Sequence, residues 1–253
     1  MFALERQKLI TDKLKSDGAV WVSKLSSELG VTEETIRRDL EKLEKKEVLL
    51  RTHGGAIPLN ENNYEYSLEK RKSEKADVKQ RLAVEAVKYI EPGDTIFLDA
   101  STTVFYIAKE LKGFKNITVI TNSLRILDEL AGEEMRVMAI GGLLSHNQSL
   151  VGSMAEHEVE ERFFASKMFF SSRGVTPEAG ILESNEQECA IKQKMIKNTT
   201  SKFYVCDSAK IGRVGFVRLA HLSEIDCVIT SGDVDDDFRA KLSEDDVKLI
   251  CCE

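Results

Sequence analysis

The sequence predicts an α/β protein in two parts, a small and mainly helical N-terminal unit and a larger doubly wound domain with a mostly parallel sheet. Three observations carry this expectation. Residues 1–57 read as three helices followed by two short β-prone stretches, residues 58–74 are polar without steady periodicity, and residues 75–253 alternate apolar strands with amphipathic helices. The chain has 253 residues, 42% of them hydrophobic and 31% charged, which is enough apolar material for a sizeable core and far from the disordered regime. No run of about 18 apolar residues occurs, so no membrane-spanning helix is expected. The charged start, MFALERQKLI, lacks a signal core and points to the cytoplasm.

Cysteine and histidine usage narrows the chemistry. The five cysteines (Cys189, Cys206, Cys227, Cys251 and Cys252) form no C-x-x-C pair, and the four histidines show no ligand spacing. Reduced, mostly buried thiols are expected, with no structural metal and no cofactor. Cys251 and Cys252 are expected on a buried final strand. The formal charge is -7 overall, but residues 1–60 hold 11 Lys and Arg against 10 Asp and Glu. Any nucleic-acid contact must therefore come from a local cluster.

Within the first unit, Leu4, Ile10 and Leu14 share one face of a first helix that Gly18 stops. Ser23 is the expected N-cap of a short second helix ended by Gly30. Thr32 caps a third, with Glu33 and Glu34 in its first turn, where the helix dipole favours acids. At about 100° per residue, Ile36, Leu40 and Leu43 form the core stripe of that helix, and Arg38 points away from it. The outward charges alone fit a solvated face with Glu34–Arg38 and Glu41–Lys45 pairs. The surroundings add more. A short helix, a three-residue connection and a longer helix is the spacing of a helix-turn-helix, whose second helix enters the major groove. The stretch VLLRTHGGAI then reads as a wing. The residues expected to face DNA are Thr32, Glu34, Thr35, Arg37, Arg38, Arg51 and His53.

In the second part, the strands TIFLD, ITVIT, MRVMAIGG, KMFFSS, KFYVCD, CVITS and VKLICC are separated mostly by amphipathic helices, which implies a sheet covered on both faces. Met154, Met168 and the pairs Phe163–Phe164 and Phe169–Phe170 are expected in its core. Ligands of such sheets bind beyond the carboxyl ends of the strands. There LDASTT places Asp99 before Ser101, Thr102 and Thr103 at a helix start, a pattern that fits either an anion site or a plain N-cap. Asn122 within TNS, Gly141 within GG, Arg173 within SSRG and Lys210 within CDSAKIG occupy other strand ends. Glu186 sits over the same region or only starts a helix. No G-x-G-x-x-G or P-loop pattern occurs.

TIRRDL with RTHGGA resembles the N-terminal signature of the DeoR family of bacterial transcription regulators. GDTIFLDASTT, ITVITNS, IGG, NEQECAIKQKMI and CDSAKIG extend the resemblance across nearly the whole chain. It implies a winged helix-turn-helix over 1–57, a linker over 58–74 and a sensing domain over 75–253 that is similar to ribose-5-phosphate isomerase and glucosamine-6-phosphate deaminase. It also implies operator DNA as partner and a phosphorylated sugar as effector, contacted by Asp99, Ser101–Thr103, Asn122, Arg173 and Lys210. The sequence departs from the family at Glu47, at Ala100–Ser101, at SSRG and at Ser231. A regulator, acting as a dimer or higher homo-oligomer because one recognition helix offers little area, is the first expectation. The alternative is a sugar-phosphate isomerase or deaminase with an N-terminal assembly module and with Asp99 and Glu186 as bases.

Overall fold

The computed structural model describes residues 3–45, 49–51, 54–58, 75–145 and 147–252. The chain falls into two compact units, Met1–Arg71 and Lys72–Glu253. Glu47, His53 and the expected linker beyond Pro58 lie outside the described residues, as do the side chains of Leu4 and Lys45.

In the N-terminal unit, α1 (Ala3–Asp17), α2 (Val22–Leu29) and α3 (Glu33–Lys45) enclose a core that includes Ile10, Leu14, Leu25, Ile36, Leu40, Leu43 and Leu49. The α3 stripe is buried as its angular spacing requires. Gly30 closes α2 in the left-handed region, at φ 62°, where a residue without Cβ is unstrained. The start of α2 differs from expectation. Trp21 occupies the N-cap position without a side-chain bond, so Ser23 lies inside the helix and does not cap it. A neighbouring strand connection supplies the missing acceptor, since the Val22 N–H donates to the Gly54 carbonyl at 2.8 Å.

The sheet of this unit is antiparallel, with β1 (Val20–Trp21) and β2 (Leu49–Arg51) on either side of β3 (Gly55–Pro58). β2 and β3 are the wing strands, and β1 is an addition that sequence reading did not foresee. A Cβ built on Gly55 would sit 1.9 Å from the Val20 carbonyl oxygen, so the second glycine of HGGA is what allows β1 and β3 to close.

The second unit runs, in chain order, through α4 (Ala76–Ala86), β4 (Thr95–Leu98), α5 (Thr102–Glu110), β5 (Thr118–Thr121), α6 (Leu124–Glu129) and β6 (Arg136–Ala139). A hairpin, β7 (Leu143–Leu144) and β8 (Leu150–Val151), precedes α7 (Ser153–Arg162), β9 (Ala165–Phe170), β10 (Gly174–Thr176) and β11 (Gly180–Glu183). Then follow α8 (Glu186–Lys197), β12 (Thr199–Asp207), β13 (Val217–Ala220), β14 (Cys227–Ser231), α9 (Asp236–Glu244) and β15 (Lys248–Cys252). Seven strands form one parallel sheet in the order β6-β5-β4-β9-β12-β14-β15. The chain starts in the middle at β4, works outward to β6, then returns to β9 and works outward the other way. The order reverses between β4 and β9, and the crevice at such a reversal is where open α/β sheets take ligands.

Alternating side chains divide the core between the two faces. Ile96, Leu98, Phe169, Phe203 and Ile229 pack with Leu82, Val104 and Ile126 of α4, α5 and α6. Phe97, Met168, Phe170, Tyr204 and Val228 pack with Val159, Ile191 and Phe238 of α7, α8 and α9. The β9–β12 register sets Phe169 beside Phe203, stacked with ring centroids 4.8 Å apart, and Phe170 beside Tyr204. A second antiparallel sheet, β10-β11-β13, covers part of the latter face through Val175, Ile181 and Leu219.

Three expectations about the core fail. Met154 and Phe164 are 71% and 65% exposed: Met154 stands in the first turn of α7, whose buried residues are Ala155 and Val159, and Phe164 lies between that helix and β9. Phe163 is half-buried and packs against the core of that face, as expected. Cys251 is exposed and Cys252 half-buried, because β15 is an edge strand; Cys189, Cys206 and Cys227 are buried free thiols.

Candidate functional site

Two sets of polar residues stand out, one in each unit. In the N-terminal unit, Thr32 sits at the N-cap of α3, its hydroxyl accepting from the Thr35 N–H at 3.3 Å and lying 2.9 Å from the Thr35 hydroxyl. Thr32, Glu34, Arg38 and Arg51 are exposed, and Thr35 and Arg37 are half-buried. Arg37 pairs with Glu33 at 2.8 Å and Arg38 with Glu34 at 3.2 Å, each one helical turn back. Such exposed pairs contribute only about 0.3–0.5 kcal/mol, so another acceptor readily replaces the glutamate. The Arg51 N–H donates to Glu44 at 2.8 Å, which ties the first wing strand to α3. Between the arginines and the core stripe lies Asp39, which sequence reading passed over. It is 2% exposed, accepts from Gln7 at 3.1 Å and pairs with Arg6, and so fixes α3 against α1. The aspartate of TIRRDL is thus a structural tie beneath Arg37 and Arg38.

In the second unit, the β4–β9 reversal gathers a buried charge cluster. Asp99 is fully buried at the end of β4. One of its carboxylate oxygens accepts from the Ser101 N–H at 3.1 Å; the other accepts from the Ser171 N–H at 3.3 Å and lies 2.8 Å from the Lys192 ammonium. Lys192 also donates to Glu183 at 2.6 Å and to the Ser171 carbonyl at 2.9 Å. Lys210 donates to the Ser171 hydroxyl at 2.7 Å. All three polar groups of Ser171 are therefore held, one by Asp99 and two by lysines. Burial pulls the Lys192 ammonium down, but Asp99, Glu183 and Glu188 outweigh it and carry the group above its ordinary value. Burial lowers Lys210, against the charges of Asp207 and Glu183. For Asp207, burial acts upward, yet the Lys75 hydrogen bond at 2.5 Å and the charges of Lys210 and Arg213 hold its carboxyl below the usual range.

The remaining strand-end residues divide. Ser101 caps α5, accepting from the Val104 N–H at 3.2 Å, so its hydroxyl performs the capping role. The first-turn N–H groups of Thr102 and Thr103 have no acceptor within the helix. The Thr103 hydroxyl and the Asn122 side-chain oxygen are buried polar atoms without a hydrogen-bond partner among the described residues. The Asn122 amide donates to the Leu150 carbonyl at 3.0 Å. The Gly141 N–H donates to Glu158 of α7 at 2.8 Å. The Arg173 backbone joins Leu182 at the β10–β11 ladder, with its side chain half-buried. Glu186 is exposed at the start of α8; the buried carboxylate of that turn is Glu188, which bonds the Ser149 hydroxyl and is raised above its ordinary value by burial.

Asp99, followed in the chain by Ser101, Thr102 and Thr103, is thus linked to Lys210 through Ser171, whereas Glu186 is exposed at the start of α8. Sequence reading missed Lys192, Glu183, Glu188, Ser171 and Arg125, the last buried and donating to the Ala100 carbonyl at 2.7 Å. Lys192 lies in NEQECAIKQKMI, where a lysine on a helix reads as solvated. Among the described residues no group of His, Cys, Asp and Glu is placed to hold a metal ion, and no helix is long and apolar enough to cross a membrane.

Comparison with known proteins decides what these two surfaces belong to. Residues 6–62 match the DeoR-like helix-turn-helix domain, and residues 74–232 match the DeoR C terminal sensor domain. The chain belongs to the DeoR family of transcriptional regulators. It is 38% identical to an uncharacterized HTH-type transcriptional regulator of Bacillus subtilis, with 98% of this chain and 96% of that one covered. It is 36% identical to the lactose phosphotransferase system repressor of Streptococcus mutans, with 95% and 96% covered. Among solved structures, a D-ribose-5-phosphate isomerase in complex with phospho-erythronic acid matches over 54% of each chain, at 13% identity and a TM-score of 0.41. Within this DeoR-family chain, α3 is the third helix of the matched helix-turn-helix domain and the β4–β9 cluster lies in the sensor domain.

Proposed function

We propose that this DeoR-family regulator represses carbohydrate-metabolism genes in the cytoplasm and that a phosphorylated sugar controls it from the strand ends around β4 and β9. The observation that carries the reading is the pairing of two unlike polar surfaces. α3 offers Arg37 and Arg38 in weak, exchangeable pairs, as a base-reading helix requires. The β4–β9 reversal offers the first turn of α5, with Lys192 held to the preceding Asp99 and Lys210 to Ser171, an arrangement that supports an anion site. The name of the Streptococcus mutans relative supports a sugar-linked role. The isomerase alternative is weakened at its bases, since both oxygens of Asp99 are engaged and Glu186 faces solvent.

A homo-oligomer would set two recognition helices on repeated half-sites. A coupling of about 1–3 kcal/mol would let effector change operator affinity roughly 5–150-fold, and operator would change effector affinity by the same factor. The test is fluorescence anisotropy of the full chain on its own upstream DNA at fixed salt, titrated with a panel of sugar phosphates. Tight binding that one phosphate shifts is expected. Binding no tighter than to a random duplex, with turnover of a sugar phosphate, would overturn the reading. Thr102→Ala is expected to blunt the response while DNA binding stays intact.

A further inference from the structure

An anion site at the first turn of α5 faces an electrostatic difficulty. Asp99 is two residues from the N-cap Ser101, and Glu183 lies beside it through their shared partner Lys192. Both carboxylates are buried, and each would repel a phosphate in a low-dielectric crevice. Among the described residues Lys192, itself 4% exposed, pairs with both. Its remaining contact, the Ser171 carbonyl, leads to the residue whose hydroxyl receives Lys210.

We propose that Lys192 is a positioning residue of the effector site: by neutralising Asp99 and Glu183 and fixing Ser171 against Lys210, it sets the site's affinity for the phosphate end of the effector without touching it. The inference rests on the strand-end reading above and adds to it a rule of charge. By formal charge Asp99, Glu183 and Lys192 sum to -1, and a substitution that changes this sum is expected to change anion affinity in a fixed direction. Glu188, bonded to Ser149, is the same in every variant compared and so does not enter the comparison.

The experiment titrates inorganic phosphate into the full chain by calorimetry, with four proteins compared. Glu183→Gln removes one negative charge with almost no change of shape and is expected to tighten phosphate binding about tenfold. Lys192→Met adds one net negative charge and is expected to abolish measurable binding. The double variant Lys192→Met/Glu183→Gln restores the wild-type count and is expected to recover much of the lost affinity. The double variant also guards against misfolding of the single one, because it leaves one unpaired carboxylate rather than two; circular dichroism monitors all four.

A merely structural lysine gives a different pattern. Glu183→Gln would then leave the phosphate Kd within about twofold of wild type, or the folded double variant would bind no better than Lys192→Met. Either result overturns the proposal. Failure of the underlying site reading looks different again: wild-type protein that binds no phosphate, or a Thr102→Pro variant that binds it as well as wild type, removes the site itself and the inference with it.

Discussion

The two arginines of α3 and the two lysines of the β4–β9 reversal are the same kind of group put to opposite uses. Arg38 and its partner Glu34 are 73% and 67% exposed in their side chains, and the pair closes within one helix. Lys192 and Asp99 are 6% and 0% exposed, and the pair joins α8 to the end of a strand distant in sequence. Water has already solvated the first pair, so breaking it costs little and another anion can take the glutamate's place. The second pair was desolvated during folding, so removing one member strands a buried charge. On the function proposed above, mobile charge suits a surface that accepts DNA, and fixed charge suits a site that keeps its shape while a ligand comes and goes.

The largest effect expected from this contrast is on stability. Lys192→Met should lower the unfolding free energy by about 3–5 kcal/mol, because Asp99 and Glu183 lose a shared buried counter-charge. Denaturant unfolding of the full chain measures it. A loss below about 1 kcal/mol would place Lys192 among the exchangeable pairs and dissolve the comparison. Arg38→Ala should behave in the reverse sense. Its stability should stay within about 0.5 kcal/mol of wild type, while specific operator binding weakens by about 1–3 kcal/mol. Unchanged operator affinity at fixed salt would reject Arg38 as a base reader.

The reach of sequence reading follows the same division. The α3 face was legible because it depends on local spacing: Ile36, Leu40 and Leu43 fix the inward stripe, so Arg38 must point out. The strand ends were legible because apolar runs locate strands and LDASTT and CDSAKIG stand at their carboxyl termini. Lys192 was not legible. Its neighbours in sequence, Ile191 and Gln193, say nothing of Asp99 or Glu183, which only the strand order brings within reach. Ser23 misled because the second helix takes its first hydrogen bond from Gly54, a contact made across a sheet whose β1 is two residues long. Met154 and Phe164 misled because apolar composition does not tell a helix's first turn, or the residues beyond its end, from its buried face.

A smaller effect separates the two environments by pH. Burial raises Glu188 above the ordinary carboxyl range, with Lys192 and Ser149 acting against that rise. A carboxyl with a raised folded value favours folding while protonated and opposes it once the unfolded chain ionises. Its contribution is therefore fully present below the ordinary glutamate value and is lost as pH rises through the folded value. Glu188→Gln, which keeps an acceptor for Ser149, should be more stable than wild type at neutral pH, with the advantage fading toward about pH 4, the ordinary glutamate range. Parallel thermal melts across that range check the sign; an advantage independent of pH would show that Glu188 does not titrate in this window.

The smallest effect belongs to Glu34, which the α3 face holds 3.2 Å from Arg38. Glu34 serves the free protein twice, by pairing with Arg38 and by placing a negative charge in the first turn of the helix, so Glu34→Gln should lower stability by about 0.3–1 kcal/mol. On DNA its position is unfavourable, since a carboxylate beside phosphates opposes the arginines it helps to orient. Glu34→Gln is therefore expected to raise affinity for operator and random duplex alike, and the gain should shrink as salt is raised. Anisotropy on both duplexes at two salt concentrations tests this directly. A loss confined to the operator would mean the opposite role: Glu34 would be reading a base, accepting from a cytosine amino group, and α3 would present a carboxylate as well as its arginines to the major groove.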